Sequence, residues 1–142
     1  MFWGDKNACS IIISELIGSA TSRRILRVLF DSGSNRSLIH KQVLPETACV
    51  TNNKNINPTT TLGGTVQFNQ TVTLEQLHFP DFNKNIKIEQ HKMILFDLNC
   101  HYDVILGGDF LQKTGININY TECQIEWLDG KLPLINAHEF HK

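Results

Sequence analysis

The sequence lacks three features that would assign a chain to a large class of proteins. No apolar run approaches the ~20 residues that a membrane-spanning helix needs. No block of like charge stands out among the 13 basic and 14 acidic residues, whose formal sum is −1. This balance argues against a nucleic-acid clamp or a helix lying on a membrane surface. We therefore expect a soluble protein whose partners include neither nucleic acid nor membrane.

Cysteine is scarce, and its spacing indicates neither a disulfide framework nor a zinc site. The four cysteines lie at positions 9, 49, 100 and 123, without a Cys-x-x-Cys pair. The first residues lack the basic segment and apolar run of a secretion signal, so we expect reduced thiols in an intracellular protein. His138 and His141 are three residues apart, and Cys100 adjoins His101. Neither pair has the ligand spacing of a structural zinc site, so we expect no metal and no other cofactor.

Most of the 142 residues read as short strands separated by turns. Apolar runs and period-two alternation predict strands over 10–17, 25–30, 37–39, 66–74, 86–96 (interrupted at 89–92), 103–106, 116–120, 124–127 and 132–135. Residues 41–44 predict one helical turn, 19–24 a turn, and the Asn/Thr-rich stretch 47–61 the least structure. A short helix from Asp109 to Lys113 would be N-capped by Asp109 and closed by Gly115. The pattern predicts one all-β domain over 10–135, with a lead-in at 1–9 and a tail at 136–142.

The most informative segment is Asp31-Ser32-Gly33, which follows the apolar run 25–30. A carboxylate at the end of a buried strand is costly unless it is paired or used. Gly33 lets the backbone fold tightly beside it. The alternative is an ordinary turn aspartate that hydrogen-bonds its own backbone. A serine nucleophile is not indicated, because Gly33-Ser34 does not match the Gly-x-Ser-x-Gly elbow.

A second segment, 102–111, reads YDVILGGDFL. It is another apolar strand, and it ends in glycines and an acidic residue. In order and spacing the two segments resemble the catalytic and the hydrophobic-hydrophobic-Gly segments of retropepsin-like aspartic proteases. Within that family, the two segments most resemble the protease domain of long-terminal-repeat retrotransposon polyproteins. The resemblance implies an all-β, retropepsin-like closed barrel, a single lobe with one short helix near residues 109–114.

The resemblance also implies an activity. It assigns Asp31, Ser32 and Gly33 as the catalytic residues of an aspartic endopeptidase. In such an enzyme a charged carboxylate takes a proton from water, while a protonated partner polarises the scissile carbonyl. The chain has one Asp-Ser-Gly and no second Asp-Ser/Thr-Gly, so the resemblance implies a homodimer in which each subunit supplies one turn. The expected substrate is a peptide or retroelement polyprotein, cleaved in the cytoplasm or a virus-like particle.

Further residues receive supporting roles from the resemblance. Ser34 would donate its hydroxyl to the outer oxygen of Asp31, and the alternative is a solvated turn serine. Ile105, Leu106 and Gly107 would brace the loop that carries Asp31. The bracing role places the second segment directly against the turn that carries Asp31.

The flap is the hardest element to place. The resemblance puts its tip at Leu62, Gly63 and Gly64, where glycines would supply the mobility to close over a peptide. The alternative is an ordinary glycine turn between strands. The rival function is a catalytically silent retropepsin-fold module for peptide binding or dimerisation.

Overall fold

The computed structural model describes residues 8–17, 21–44, 50–52, 59–61, 64–66, 69–82, 87–97 and 101–135. These residues contain twelve strands, one turn of 3₁₀ helix at Lys41–Val43 and one α-helix, α1, at Gly108–Thr114. The strands are β1 Ala8–Ile17, β2 Thr21–Phe30, β3 Leu38–His40, β4 Val50–Asn52, β5 Thr59–Thr61, β6 Gly64–Val66, β7 Gln70–His78, β8 Lys87–Phe96, β9 Val104–Leu106, β10 Asn117–Asn119, β11 Gln124–Trp127 and β12 Gly130–Pro133.

The largest sheet closes on itself. Its seven strands run in the order β1-β2-β9-β3-β8-β7-β4, and β1 pairs with β7 as well as with β2. Six strands therefore form a ring, and β4 is a further partner of β7. The strands β10, β11 and β12 form a separate antiparallel sheet, and β5 pairs with β6. The all-β barrel with one short helix is the predicted architecture.

Four neighbouring strands of the barrel, β2, β9, β3 and β8, are buried on both faces over residues 28–30, 104–106, 38–40 and 93–96. In β2, Leu26, Val28 and Phe30 belong to the main core, whereas Leu29 belongs to a second apolar cluster. The same split separates the inward and outward residues of the other three strands. Burial on both faces explains why these segments read as continuous apolar runs rather than alternating ones. The strand ends that carry the predicted site are therefore packed against apolar side chains on both faces.

Several predicted boundaries are wrong. Residues 21–24, predicted as a turn, belong to β2, which pairs along its whole length with β1. β1 itself begins at Ala8, two residues before the start of the predicted strand. Part of the Asn/Thr-rich stretch forms β4 and β5. The residues at these positions are mostly polar, so their composition did not predict strands. Pairing with neighbouring strands stabilises them, and local composition does not reveal such tertiary effects.

Two further strand predictions also change. The predicted strand over 66–74 is divided between β6, which ends at Val66, and β7, which begins at Gln70. Conversely, β8 runs unbroken through the predicted interruption at 89–92. The backbone is locally distorted there, because Gln90 has a φ of 49°. Polar residues in this stretch include exposed ones at the outer face, which the sequence pattern mistook for a break.

Candidate active site

The predicted catalytic turn follows β2, at the end of the barrel where the parallel strand β9 also ends. β9 lies between β2 and β3, parallel to β2 and antiparallel to β3. Phe30, the last residue of β2, faces Leu106, the last residue of β9. The backbone N–H of Asp31 donates to the carbonyl oxygen of Leu106 at 2.9 Å. The two sequence segments are therefore in direct contact, as the resemblance implies.

The turn holds the Asp31 carboxylate in a fixed orientation. The backbone N–H of Gly33 donates to Oδ1 of Asp31 at 2.9 Å, and the N–H of Ser34 donates to the Asp31 carbonyl oxygen at 3.1 Å. Asp31 is only 1% exposed in the single chain, whereas Ser32 and Gly33 are exposed. The bond to Gly33 is the self-bonded turn of the alternative interpretation. It occupies one of about four acceptor positions on a carboxylate, so it is compatible with a catalytic role.

Ser34 does not have the predicted contact. Its Oγ donates to the carbonyl oxygen of Arg36 at 2.6 Å, and a hydroxyl has one hydrogen to give. Its own carbonyl oxygen accepts from the N–H of Gly108 at 2.8 Å. Ser34 is buried, so the solvated-serine alternative is wrong as well. The residue folds the turn and ties it to the start of α1.

The three residues assigned to bracing lie at the end of β9 and just after it. Ile105 and Leu106 are fully buried. A Cβ built on Gly107 would clash with the carbonyl oxygen of Arg36 and lie 2.8 Å from that of Ser34. Only a glycine lets the end of β9 approach the catalytic loop this closely.

Sequence reasoning missed Ser37. Its Oγ accepts from the N–H of Gly107 at 3.0 Å and donates to Oδ1 of Asp109 at 2.7 Å. Asp109 lies 72 residues further along the chain, and no local pattern announces a contact over that separation. Ser37 thus joins the loop after Asp31 to both β9 and α1.

Asp109 is not the N-cap of α1, which corrects the prediction. Gly107 is the N-cap, and Asp109 lies in the first turn of the helix. Its carboxylate accepts from Ser37 and from the N–H of Phe110 at 2.7 Å. Burial alone would raise the pKa of Asp109, but the nearby His91 side chain and the hydrogen bonds from Ser37 and Phe110 outweigh it and hold the pKa below its ordinary value. The helix C-cap is Gly115 with a φ of 77°, as predicted.

The structure brings only part of the predicted flap into view. β5 and β6 are antiparallel, with Thr61 opposite Gly64. Leu62 and Gly63 lie outside the described residues, so the flap tip stays a prediction. The antiparallel pair on either side of them is separate from the main sheet.

Metal ligands, membrane-spanning helices and thiols were also sought in the structure. Within the described ranges, no three His, Cys, Asp or Glu side chains come together as a metal site, and no helix there is long and apolar enough to cross a membrane. Cys123 is an exposed free thiol. The histidines at 138 and 141 lie outside the described residues.

Comparison with known proteins decides the family. The sequence profile of the family described as "Retroviral aspartyl protease" matches residues 7–119, most of the chain. The chain belongs to the retroviral aspartyl protease family. The match includes the catalytic turn, β9 and α1, and it ends at the last residue of β10.

A solved structure supports the same fold. The retroviral protease-like domain of Ddi1 from Leishmania major superposes with a TM-score of 0.59 at 11% sequence identity. The alignment covers 93% of this chain and 98% of that one. At this identity the likeness shows the retropepsin-like fold alone. No curated protein sequence matches the chain.

Proposed function

We propose that this protein is a homodimeric aspartic endopeptidase whose active site pairs the Asp31 carboxylates of two chains. The observation that carries the proposal is the Asp31-Ser32-Gly33 turn, held at the end of β2 by a hydrogen bond to Leu106 of the adjacent β9. Membership of the family supports an aspartic-protease type of chemistry. A two-fold axis that passes beside this turn would bring identical carboxylates face to face.

The proposed chemistry needs no cofactor, because the nucleophile is water. One Asp31 carboxylate takes a proton from the water while the water oxygen attacks the scissile carbonyl carbon. The protonated carboxyl of the other chain donates a hydrogen bond to the carbonyl oxygen and then a proton to it. The tetrahedral intermediate collapses when the first carboxyl passes the proton that it took from water to the nitrogen and the C–N bond breaks. The carboxylate of the other chain then takes back a proton from a hydroxyl of the intermediate. Because the two carboxyl groups share protons, the rate should follow a bell-shaped pH profile that belongs to the pair.

The remaining parts of the site would serve the peptide. An extended substrate would bind as an added strand between the flap and the floor of the site. Ser32 is exposed beside Asp31, where its hydroxyl could donate across the two-fold axis and lock the two turns together. We further propose a polyprotein of a long-terminal-repeat retroelement as the natural substrate, which extends the sequence resemblance.

A catalytically silent module is the second candidate, and one observation favours it. Asp31 is 1% exposed, whereas a catalytic carboxylate must meet both water and its symmetry mate. In the active enzyme the segments that cover Asp31 in the single chain would have to rearrange on dimer formation. In a silent module they would stay in place, and the fold would serve binding alone.

Cleavage measured against protein concentration separates the two candidates. An active dimer loses specific activity on dilution in step with the dimer fraction found by sedimentation, because each site needs two chains. Asp31→Asn, which keeps the side-chain volume, should lower the rate by about 10³-fold and leave the circular dichroism spectrum unchanged. Full activity in a monomer, or in purified Asp31→Asn, would refute the assignment. A dimer that binds peptide without cleaving it would establish the silent module.

A further inference from the structure

His91 is a buried side chain that the proposed mechanism does not use. It lies on β8 and is 6% exposed. Its Nε2 has no hydrogen bond of ordinary geometry within the described part of the chain. Oδ2 of Asp109 lies 3.5 Å from this nitrogen. Its ring stands edge-on to Phe110, with centroids 5.0 Å apart. Burying a polar nitrogen without a good hydrogen bond costs free energy of folding. We therefore asked what the weak contact with Asp109 contributes.

The contact of His91 is the outer end of a continuous chain of polar groups. Oδ2 of Asp109 also accepts from the N–H of Ser37 at 3.3 Å, while Oδ1 accepts from the Ser37 Oγ at 2.7 Å. The Ser37 Oγ in turn accepts from the N–H of Gly107 at 3.0 Å. Each member therefore fixes the orientation of the next.

The inner end of this chain is packed against the catalytic loop. The space at Gly107 has no room for a Cβ because the carbonyl oxygens of Ser34 and Arg36 fill it. The adjacent N–H of Gly108 donates to the Ser34 carbonyl oxygen at 2.8 Å. A shift of Gly107 would consequently move the loop that begins at Asp31.

We propose that His91 is a positioning residue, which acts through Asp109, Ser37 and Gly107 to hold the loop that carries Asp31. The inference rests on the proposed function, since it assigns a role in the same site. An N–H on Nε2 stops the Asp109 carboxylate from rotating away from Ser37. A catalytic group displaced by about 1 Å can lose about 10²-fold in rate, so a weak contact at this distance can still matter.

The test compares substitutions at the two ends of the chain. His91→Phe keeps a ring against Phe110 and removes the N–H, and Ser37→Ala removes the hydroxyl. We expect each to lower kcat about tenfold with KM little changed, because positioning acts on the transition state rather than on peptide binding. His91→Gln, which retains an N–H donor, should recover most of the loss.

The double variant distinguishes a shared chain from two separate packing defects. His91 and Ser37 have no contact with each other among the hydrogen bonds and ion pairs of the described residues. If they act through Asp109, His91→Phe with Ser37→Ala should be no slower than the slower single variant. A loss of about 10²-fold, the product of the two single effects, would overturn the proposal. Equal losses in His91→Phe and His91→Gln would overturn it as well.

A second readout does not depend on activity. Hydrogen exchange at the Gly107 amide should be faster in His91→Phe by more than the change in global stability accounts for. His40→Phe is the matched control, because His40 is another buried histidine but accepts from the N–H of Gln42 and packs on Phe96. It should leave the Gly107 amide at its global rate. Unchanged local exchange in His91→Phe would reject the positioning role. If exchange is faster in His91→Phe but the wild-type protein has no protease activity, only the proposed function is rejected.

Discussion

The ends of β2 and β9, which meet at the site, are each followed by glycine and aspartate, but the two aspartates have different hydrogen-bond partners. β2 is followed by Asp31-Ser32-Gly33, and the parallel strand β9 is followed by Gly107-Gly108-Asp109. After β2 the chain turns, and Gly33 donates to the carboxylate from two residues away. After β9 it enters α1, and the Asp109 carboxylate receives hydrogen bonds from Ser37 across the loop.

The difference teaches that an acidic residue after a buried strand is not by itself a catalytic signal. The order of glycine and aspartate decides the outcome. Gly107 comes first and enters a space that excludes a Cβ, so Asp109 is carried past the strand end and into the helix. Asp31 comes first and stays at the strand end, with the glycine behind it to tighten the turn. In the proposed enzyme Asp31 carries out the chemistry, and Asp109 helps to hold the loop that carries Asp31.

The largest expected effect is on the glycine that lets the two strand ends touch. In Gly107→Ala the new methyl group would meet the backbone of Arg36 and Ser34, so we expect a loss of about 3 kcal/mol in the free energy of unfolding. Gly108→Ala is the matched control, since a Cβ there lies 3.5 Å from its nearest neighbour, an ordinary contact. Urea denaturation measures both. Equal stability of the two variants would mean that the strand ends do not meet as described.

A smaller effect is expected at the structural carboxylate. In Asp109→Asn the hydrogen bonds lose their charge, which should cost about 1 kcal/mol near neutral pH. Because the pKa of Asp109 is held below its ordinary value of 3.8, the charged form is the one that the folded state prefers. Its contribution is therefore complete above that value and is lost as the pH falls below it.

Unfolding of the wild-type protein and of Asp109→Asn at a series of pH values checks the sign. The difference between their free energies of unfolding should shrink from pH 6 to pH 3. A difference that grows toward acid would mean that the folded state prefers the neutral carboxyl. The hydrogen bonds to Asp109 would then not stabilise its charged form, as described above.

The smallest effect is expected at Ser34. Its hydroxyl donates to the carbonyl oxygen of Arg36, so Ser34→Ala should cost about 1 kcal/mol of stability. The pH of maximum activity should stay where it is, because the hydroxyl does not contact the Asp31 carboxylate. A clear shift of the optimum toward neutral pH would restore the role that the resemblance implied. It would make the turn of β2 more like the family pattern than this structure shows.

What the sequence could predict depends on whether the cause was local. The β11 strand, 124–127, and the Gly115 C-cap were predicted correctly, because alternation and a left-handed glycine act over a few residues. The contact of Ser37 with Asp109 and the polar start of β2 at 21–24 were missed. Both depend on partners that the chain supplies elsewhere, a helix 72 residues away and the whole length of β1. The bracing of the Asp31 loop by the end of β9 was proposed only through the family resemblance, and the parallel pairing of β2 with β9 was not predicted.

Mixing wild-type chains with Asp31→Asn chains tests the central claim most directly. If each site needs one Asp31 from each of two chains, and subunits exchange freely, activity should fall as the square of the wild-type fraction. An equal mixture would then retain about a quarter of the activity of the same total concentration of wild-type protein. Chains that each carry a complete site would retain about half, and that linear dependence would contradict the shared-carboxylate account.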